Sequence, residues 1–174
     1  MRTELVAIYN FDELNEEAQQ VAIERERNSR IECGEIPFAH DLMHSLKAVI
    51  RISGLKLSGW SLGLDNSWLK VSFPSDDDEI SGALAMEWLQ ENLLSKIKRG
   101  ECSLTGYCSD EDFVDSLEAD IRSGATLKDA FRGLADTFQR ILNAENDFWL
   151  SDADIRESLA QCGYREFTSD GLEY

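Results

Sequence analysis

Proline is nearly missing from this chain: Pro37 and Pro74 are the two in 174 residues. There is no Gly/Ser-rich tract and no low-complexity segment. Nothing therefore marks a linker, and residues 1–174 read as one acidic domain. Basic residues are half as numerous as acidic ones, 17 against 34, leaving a formal charge of −17 and a pI near 4.4. A chain this short of Lys and Arg has little with which to displace counterions from a phosphate backbone, so direct nucleic-acid binding is not expected. Anionic membranes repel it for the same reason. No apolar run approaches the roughly 20 residues of a membrane span. The opening Met1-Arg2-Thr3-Glu4 lacks the basic-then-apolar pattern of a secretory signal. These features lead us to expect a bacterial host cytoplasm. The cysteines, Cys33, Cys102, Cys108 and Cys162, are scattered and are expected to be thiols, although Cys102 and Cys108 share one loop and could meet. What is present is a core: 43% hydrophobic residues, with 8 Phe and 4 Trp, enough to exclude a disordered chain.

The patterning predicts an α+β fold, a small mainly antiparallel sheet packed against about six helices. Residues 4–11 are apolar and partly β-branched and predict a first strand. Asn15 before Glu16-Glu17 predicts a helix over 15–30, with Leu14, Ala18, Val21 and Ala22 as its buried stripe. A second helix is predicted over 38–52, stopped by Gly54. Residues 55–62 and 67–73, joined by Gly63-Leu64-Asp65-Asn66, predict a β-hairpin. A third helix spans 79–99, with Ile80, Leu84, Leu89, Leu93 and Ile97 inward. A fourth begins at Ser109 and buries Phe113, Val114, Leu117 and Ile121. Thr126 caps a long fifth, Ser151 a short sixth, and residues 164–168 predict a closing strand before Ser169-Asp170-Gly171.

The usual catalytic signatures are missing. No Gly-X-Gly or Gly-Lys-Ser/Thr phosphate loop occurs, and no Gly-X-Ser-X-Gly elbow. Only His40 and His44 can supply imidazole. Their i, i+4 spacing places both on one helical face, as in zinc metalloproteases, with Asp41 where those enzymes carry Glu. A third ligand could come from Cys33 or a carboxylate, but no downstream motif supplies one. The pair is a weak metal candidate, opposed by the simpler reading of two polar residues on a solvated helix face. The expectation is a protein that is not an enzyme and takes no cofactor.

Charge layout says more. Residues 100–121 carry Glu101, Asp110, Glu111, Asp112, Asp115, Glu118 and Asp120 without one Lys or Arg. Glu111, Asp115 and Glu118 fall at i, i+4 and i+7, a row of carboxylates about 5–6 Å apart. That spacing is comparable to phosphates along a nucleic-acid strand. Asp76, Asp77 and Asp78 with Glu79 form a second cluster. Asp12, Glu13, Glu16 and Glu17 form a third, and Glu145, Asp147, Asp152 and Asp154 a fourth. Solubility and helix-dipole compensation account for any one cluster. The whole excess points to a basic protein partner captured by charge, through Asp76, Asp77, Asp78, Asp110, Glu111, Asp112, Asp115 and Glu118. A homodimer is left open.

Three stretches also resemble a family. Tyr9–Arg27 (YNFDELNEEAQQVAIERER), Ile52–Phe73 (with Gly-Leu-Lys-Leu in its hairpin) and Leu150–Tyr174 (with Tyr-Arg-Glu-Phe-Thr-Ser-Asp-Gly) cover a little over a third of the chain. Together they resemble small acidic proteins of phages, prophages and other bacterial mobile elements, many labelled antitoxins of toxin–antitoxin systems. The resemblance implies a mobile-element accessory protein and brings no catalytic residues. Combined with the charge, it gives an expected function: inhibition of a nucleic-acid-handling host defence protein, of anti-restriction or anti-CRISPR type, by a nucleic-acid-mimicking surface. An antitoxin masking a toxin by direct binding is the alternative, and a metal-dependent hydrolase using His40 and His44 the second.

Overall fold

The computed structural model describes residues 7–34, 36–74, 76–99, 104–105, 109–162 and 165–173, without the side chains of residues 76 and 77. It is an α+β structure with a small antiparallel sheet. Contacts within it define two compact units, Met1–Ile36 with Glu145–Tyr174, and Pro37–Ala144.

The unit made from the two termini is built on α1 (Glu16–Cys33) and α7 (Asp152–Gln161). Helix α1 is capped by Asn15, whose Oδ1 accepts from the Ala18 N–H at 2.9 Å. In α7 the Ser151 hydroxyl accepts from the Asp154 N–H. Each cap satisfies an orphan donor of the first turn. The core joins Phe11, Leu14, Ala18, Ala22, Ile23, Ile155, Leu159 and Phe167. On α1 the buried stripe thus includes Ile23 in place of Val21, which stays exposed. The strand predicted over 4–11 is reduced, among the described residues, to a single bridge. Tyr9 and Phe167 exchange both backbone hydrogen bonds at 2.9 Å. Beyond Tyr9, the Glu13 carboxylate accepts from the Asn10 N–H at 2.8 Å and turns Phe11–Glu13 into a short 3-10 turn. That turn drops Phe11 edge-on against Phe167, ring centroids 6.2 Å apart. The closing strand is likewise isolated bridging at Phe167, to Tyr9 and to Glu173; Tyr164 lies outside the described residues. Gly171 has φ +80°, and a Cβ there would overlap the Ala18 carbonyl oxygen of α1. The Asp-Gly turn therefore lies directly on the α1 backbone.

In the central unit, α2 (Ala39–Ile52) precedes β1 (Lys56–Ser61) and β2 (Trp68–Ser72). These strands pair antiparallel with Trp60 opposite Leu69 and Lys56 opposite Ser72, with a bulge between Leu57 and Gly59. Next come α3 (Gly82–Leu89), a π-helical turn (Gln90–Leu94) and α4 (Ser95–Lys98), continuous in sequence. Last come α5 (Ser109–Arg122) and α6 (Leu127–Trp149), whose final residues from Glu145 belong to the terminal unit. The core gathers Leu42, Leu46, Val49 and Ile50 of α2, Phe113, Leu117 and Ile121 of α5, and Phe131, Leu134 and Phe138 of α6. Phe73, Trp88 and Phe131 meet with ring centroids 5.9–6.1 Å apart, within the range of favourable tilted and edge contacts. Two readings of the third helix need correction. Residues 76–79 form a separate 3-10 turn, and Leu84 is 62% exposed while Ala85 is buried. Ala85 stands four residues before buried Leu89 in α3 and is in helical phase with it, whereas Leu84 stands five before it and turns outward.

The contact at Gly171 sets a test. Gly171→Ala is expected to lower unfolding free energy by about 2–4 kcal/mol, combining an unfavourable φ with overpacking. Gly124→Ala has an equally unfavourable φ but nothing within 4 Å of the new Cβ, and should cost about 1–2 kcal/mol. Urea titration of the two variants measures the difference.

Candidate functional site

Helix α5 forms because Phe113, Leu117 and Ile121 recur four apart and are fully or almost fully buried. Acids in its first turn suit the positive end of the helix dipole. That phase fixes what every other residue faces. Glu111, Asp112 and Asp115 are exposed, and no ion pair or hydrogen bond among the described residues engages their side chains. Glu118 is paired within its own helix, to Arg122.

Asp110 differs from the expected surface row: it is only 4% exposed. Its carboxylate accepts from the Thr105 hydroxyl at 2.7 Å. Thr105 in turn meets the buried Ser45 hydroxyl at 3.0 Å, and Ser109 donates to Ser45 at 2.9 Å. Asp110 thus closes a hydroxyl chain between α2 and the start of α5. A buried carboxylate needs such partners, and this one is turned away from any docking surface.

The remaining clusters divide in the same way. Asp78 and Glu79 both pair with Lys128, at 3.1 and 2.7 Å; the Asp76 and Asp77 side chains lie outside the described residues. Asp152 and Asp154 pair with Arg27 and Arg30 of α1. By unit, Pro37–Ala144 holds 17 acidic and 11 basic residues, and the terminal unit 17 and 6, for net charges of −6 and −11. The larger surplus therefore belongs to the unit without α5.

The exposed acids of α5 border a groove that the sequence reading missed. A cavity of about 270 Å³ is lined by Leu94, Ile97, Leu104 and Val114, with Glu111, Asp115 and Lys98 around it. Val114 was expected to be core and is instead half-buried. Its position one residue out of step with Phe113, Leu117 and Ile121 was the available signal.

His40 and His44 do share one face of α2, ring centroids 4.5 Å apart. Both are exposed, and the nearest acid contact is His40 Nδ1 to Asp41 at 3.9 Å. No group of three or more His, Cys, Asp or Glu side chains converges among the described residues. Two imidazoles fall short of the three protein ligands of a catalytic zinc site. Cys33 and Cys162 are not disulfide-bonded; Cys102 and Cys108 lie outside the described residues. No helix among the described residues is long and apolar enough to cross a membrane.

One acid of α5 is held above its ordinary pKa. Asp120 Oδ2 lies where a Cβ on Gly133 of α6 would sit, 2.7 Å from it. Burial, and then the negative charge of Asp136, push its pKa above the ordinary value of 3.8. The group contributes its full share of stability below that value and loses it as pH rises through the higher folded pKa. Asp120→Asn should therefore stabilise the protein at neutral pH, by less than about 1 kcal/mol for so exposed a pair. The advantage should vanish by about pH 3. Thermal melts at both pH values decide it; an equal gain at both would remove charge as the cause.

Comparison with protein-family models, with curated proteins and with solved structures found no match to this chain.

Proposed function

We propose that this protein is a non-enzymatic inhibitor carried by a phage or other mobile element. It occupies the cationic, nucleic-acid-handling surface of a host defence protein. The observation that carries the reading is the state of Glu111, Asp112 and Asp115. They are exposed and, among the described residues, without an ion pair on one helix, whereas Asp152, Asp154, Glu79 and Glu26 are held by Arg27, Arg30, Lys128 and Arg165. Like charges this close on a helix cost a few tenths of a kcal/mol each. A cationic partner relieves that repulsion and gains on-rate from the field. The carboxylates act here as fixed charges in place of phosphates, and no bond is made or broken.

The test is a pull-down from hosts carrying several defence systems, followed by binding of the captured protein across salt. Affinity should fall by about tenfold or more between about 50 and 500 mM salt. A short DNA duplex should compete. Glu111→Lys combined with Asp115→Lys should weaken binding by at least about tenfold while the melting curve stays native-like. Binding that ignores both salt and the double reversal would refute the charge-mimicry reading. Rescue of cells from a toxic neighbouring gene product, with no loss of phage defence, would favour the antitoxin alternative.

A further inference from the structure

We propose that the groove beside α5 is a docking slot for a basic amphipathic segment of the partner. Such a segment presents one large apolar side chain with Lys or Arg about one helical turn away. The inference rests on the reading of α5 as the partner-facing helix, and it names the chemistry recognised there.

Two features place an apolar floor beside the acids. The π turn Gln90–Leu94 sets Leu93 and Leu94 side by side. Leu93 is fully buried, while Leu94 together with Ile97 lines the groove. On α5, Val114 stands between Glu111 and Asp115 at i+3 and i−1. The stripe facing the groove therefore reads acid, apolar, acid, while the stripe facing the core is Phe113, Leu117 and Ile121.

Glu111 and Asp115 outnumber Lys98, the one cation among the described residues lining the groove, and that acidic surplus selects the occupant. An uncharged apolar segment would fill the floor and leave Glu111 and Asp115 unpaired beside a desolvated surface, which carries a penalty. A purely basic segment would pair with the acids and leave the floor wet. A helix with apolar and basic residues one turn apart satisfies both, the usual arrangement of a helix laid in a groove.

The probes are three fluorescent peptides of equal length tested against the full chain: a Leu/Lys amphipathic helix, oligolysine and a Leu/Gln helix. Anisotropy should show the Leu/Lys peptide binding at least about tenfold more tightly than either control. Hydrogen exchange should show it protecting residues of α4 and α5. Val114→Trp, which fills the groove, should abolish the advantage over oligolysine while leaving oligolysine binding intact. Ile97→Trp provides the same test from the other wall should Val114→Trp fail to fold. Oligolysine binding as tightly as the Leu/Lys peptide would overturn the slot and leave the acidic-surface reading standing. Protection elsewhere on the chain would also overturn it. Loss of all peptide binding, with no effect of charge reversal on the captured partner, would bring down both.

Discussion

Arg30 lies almost completely buried on α1 with its guanidinium 5.3 Å from the centre of the Trp149 ring. Glu26 meets it at 3.1 Å and Asp154 at 2.7 Å, and it also donates to the Trp149 carbonyl. One turn earlier Arg27 donates to the Leu150 carbonyl at 2.9 Å and pairs with Glu24 and Asp152. Arg165 joins Glu26 from the C-terminal segment at 2.6 Å. A unit with 17 acids and 6 cations folds under self-repulsion, and these arginines are where it is offset. Each serves two carboxylates, and Arg27 and Arg30 also close carbonyls at the end of α6. Burial alone would resist ionisation of Glu26, but hydrogen bonds from Arg165 and Arg30 outweigh it and hold its pKa below the ordinary value of 4.5. That contribution is complete above about 4.5 and is lost as pH falls through the lower folded value. Removing one member of such a buried set leaves an uncompensated charge, which typically costs about 3–5 kcal/mol.

These pairings separate acids that hold the fold from acids that do not, a distinction hidden in the sequence. Asp152 and Asp154 have Arg156 close by in the sequence, yet their partners are arginines 125 and 124 residues away. Glu79 finds Lys128 across 49 residues. Charge clusters are visible in sequence; their neutralisation depends on tertiary structure. Helix positions were legible for the opposite reason. In α2, α5 and α6 the apolar residues repeat at a period that local geometry alone imposes, and Asn15 and Ser151 mark the starts of α1 and α7 with short-range hydrogen bonds.

The misreadings share a physical origin in the competition between local signals and packing. The apolar run at 4–11 suits a strand, but at its described end the capping contact between Asn10 and Glu13 turns the chain so that Phe11 can reach Phe167. Leu84 lies five residues before buried Leu89 and is out of helical phase with it, whereas Ala85, four residues before Leu89 in α3, takes the buried place. Asp110 belongs to an acidic run, yet the first turn of α5 points it at Thr105. Val114 has the composition of a core residue and the phase of a surface one, and phase prevails.

Together the pairing pattern and the helix phase define the candidate site more narrowly than net charge does. A charge of −17 spread over a surface gives solubility and long-range steering, but salt screens that field within about 10 Å at 0.1 M. Specific recognition needs charges fixed next to something a partner can bury. In the central unit Asp78 and Glu79 are tied to Lys128, Glu118 to Arg122, and Asp110 is turned inward. Glu111 and Asp115 remain on a helix whose core stripe holds them rigid, one turn apart, beside an apolar cavity. Their carboxylates stay hydrated until a partner arrives, and the same contact that covers Val114 would strip that water away. Cation and apolar side chain must then come from one surface, since either alone leaves the other half of the contact unsatisfied.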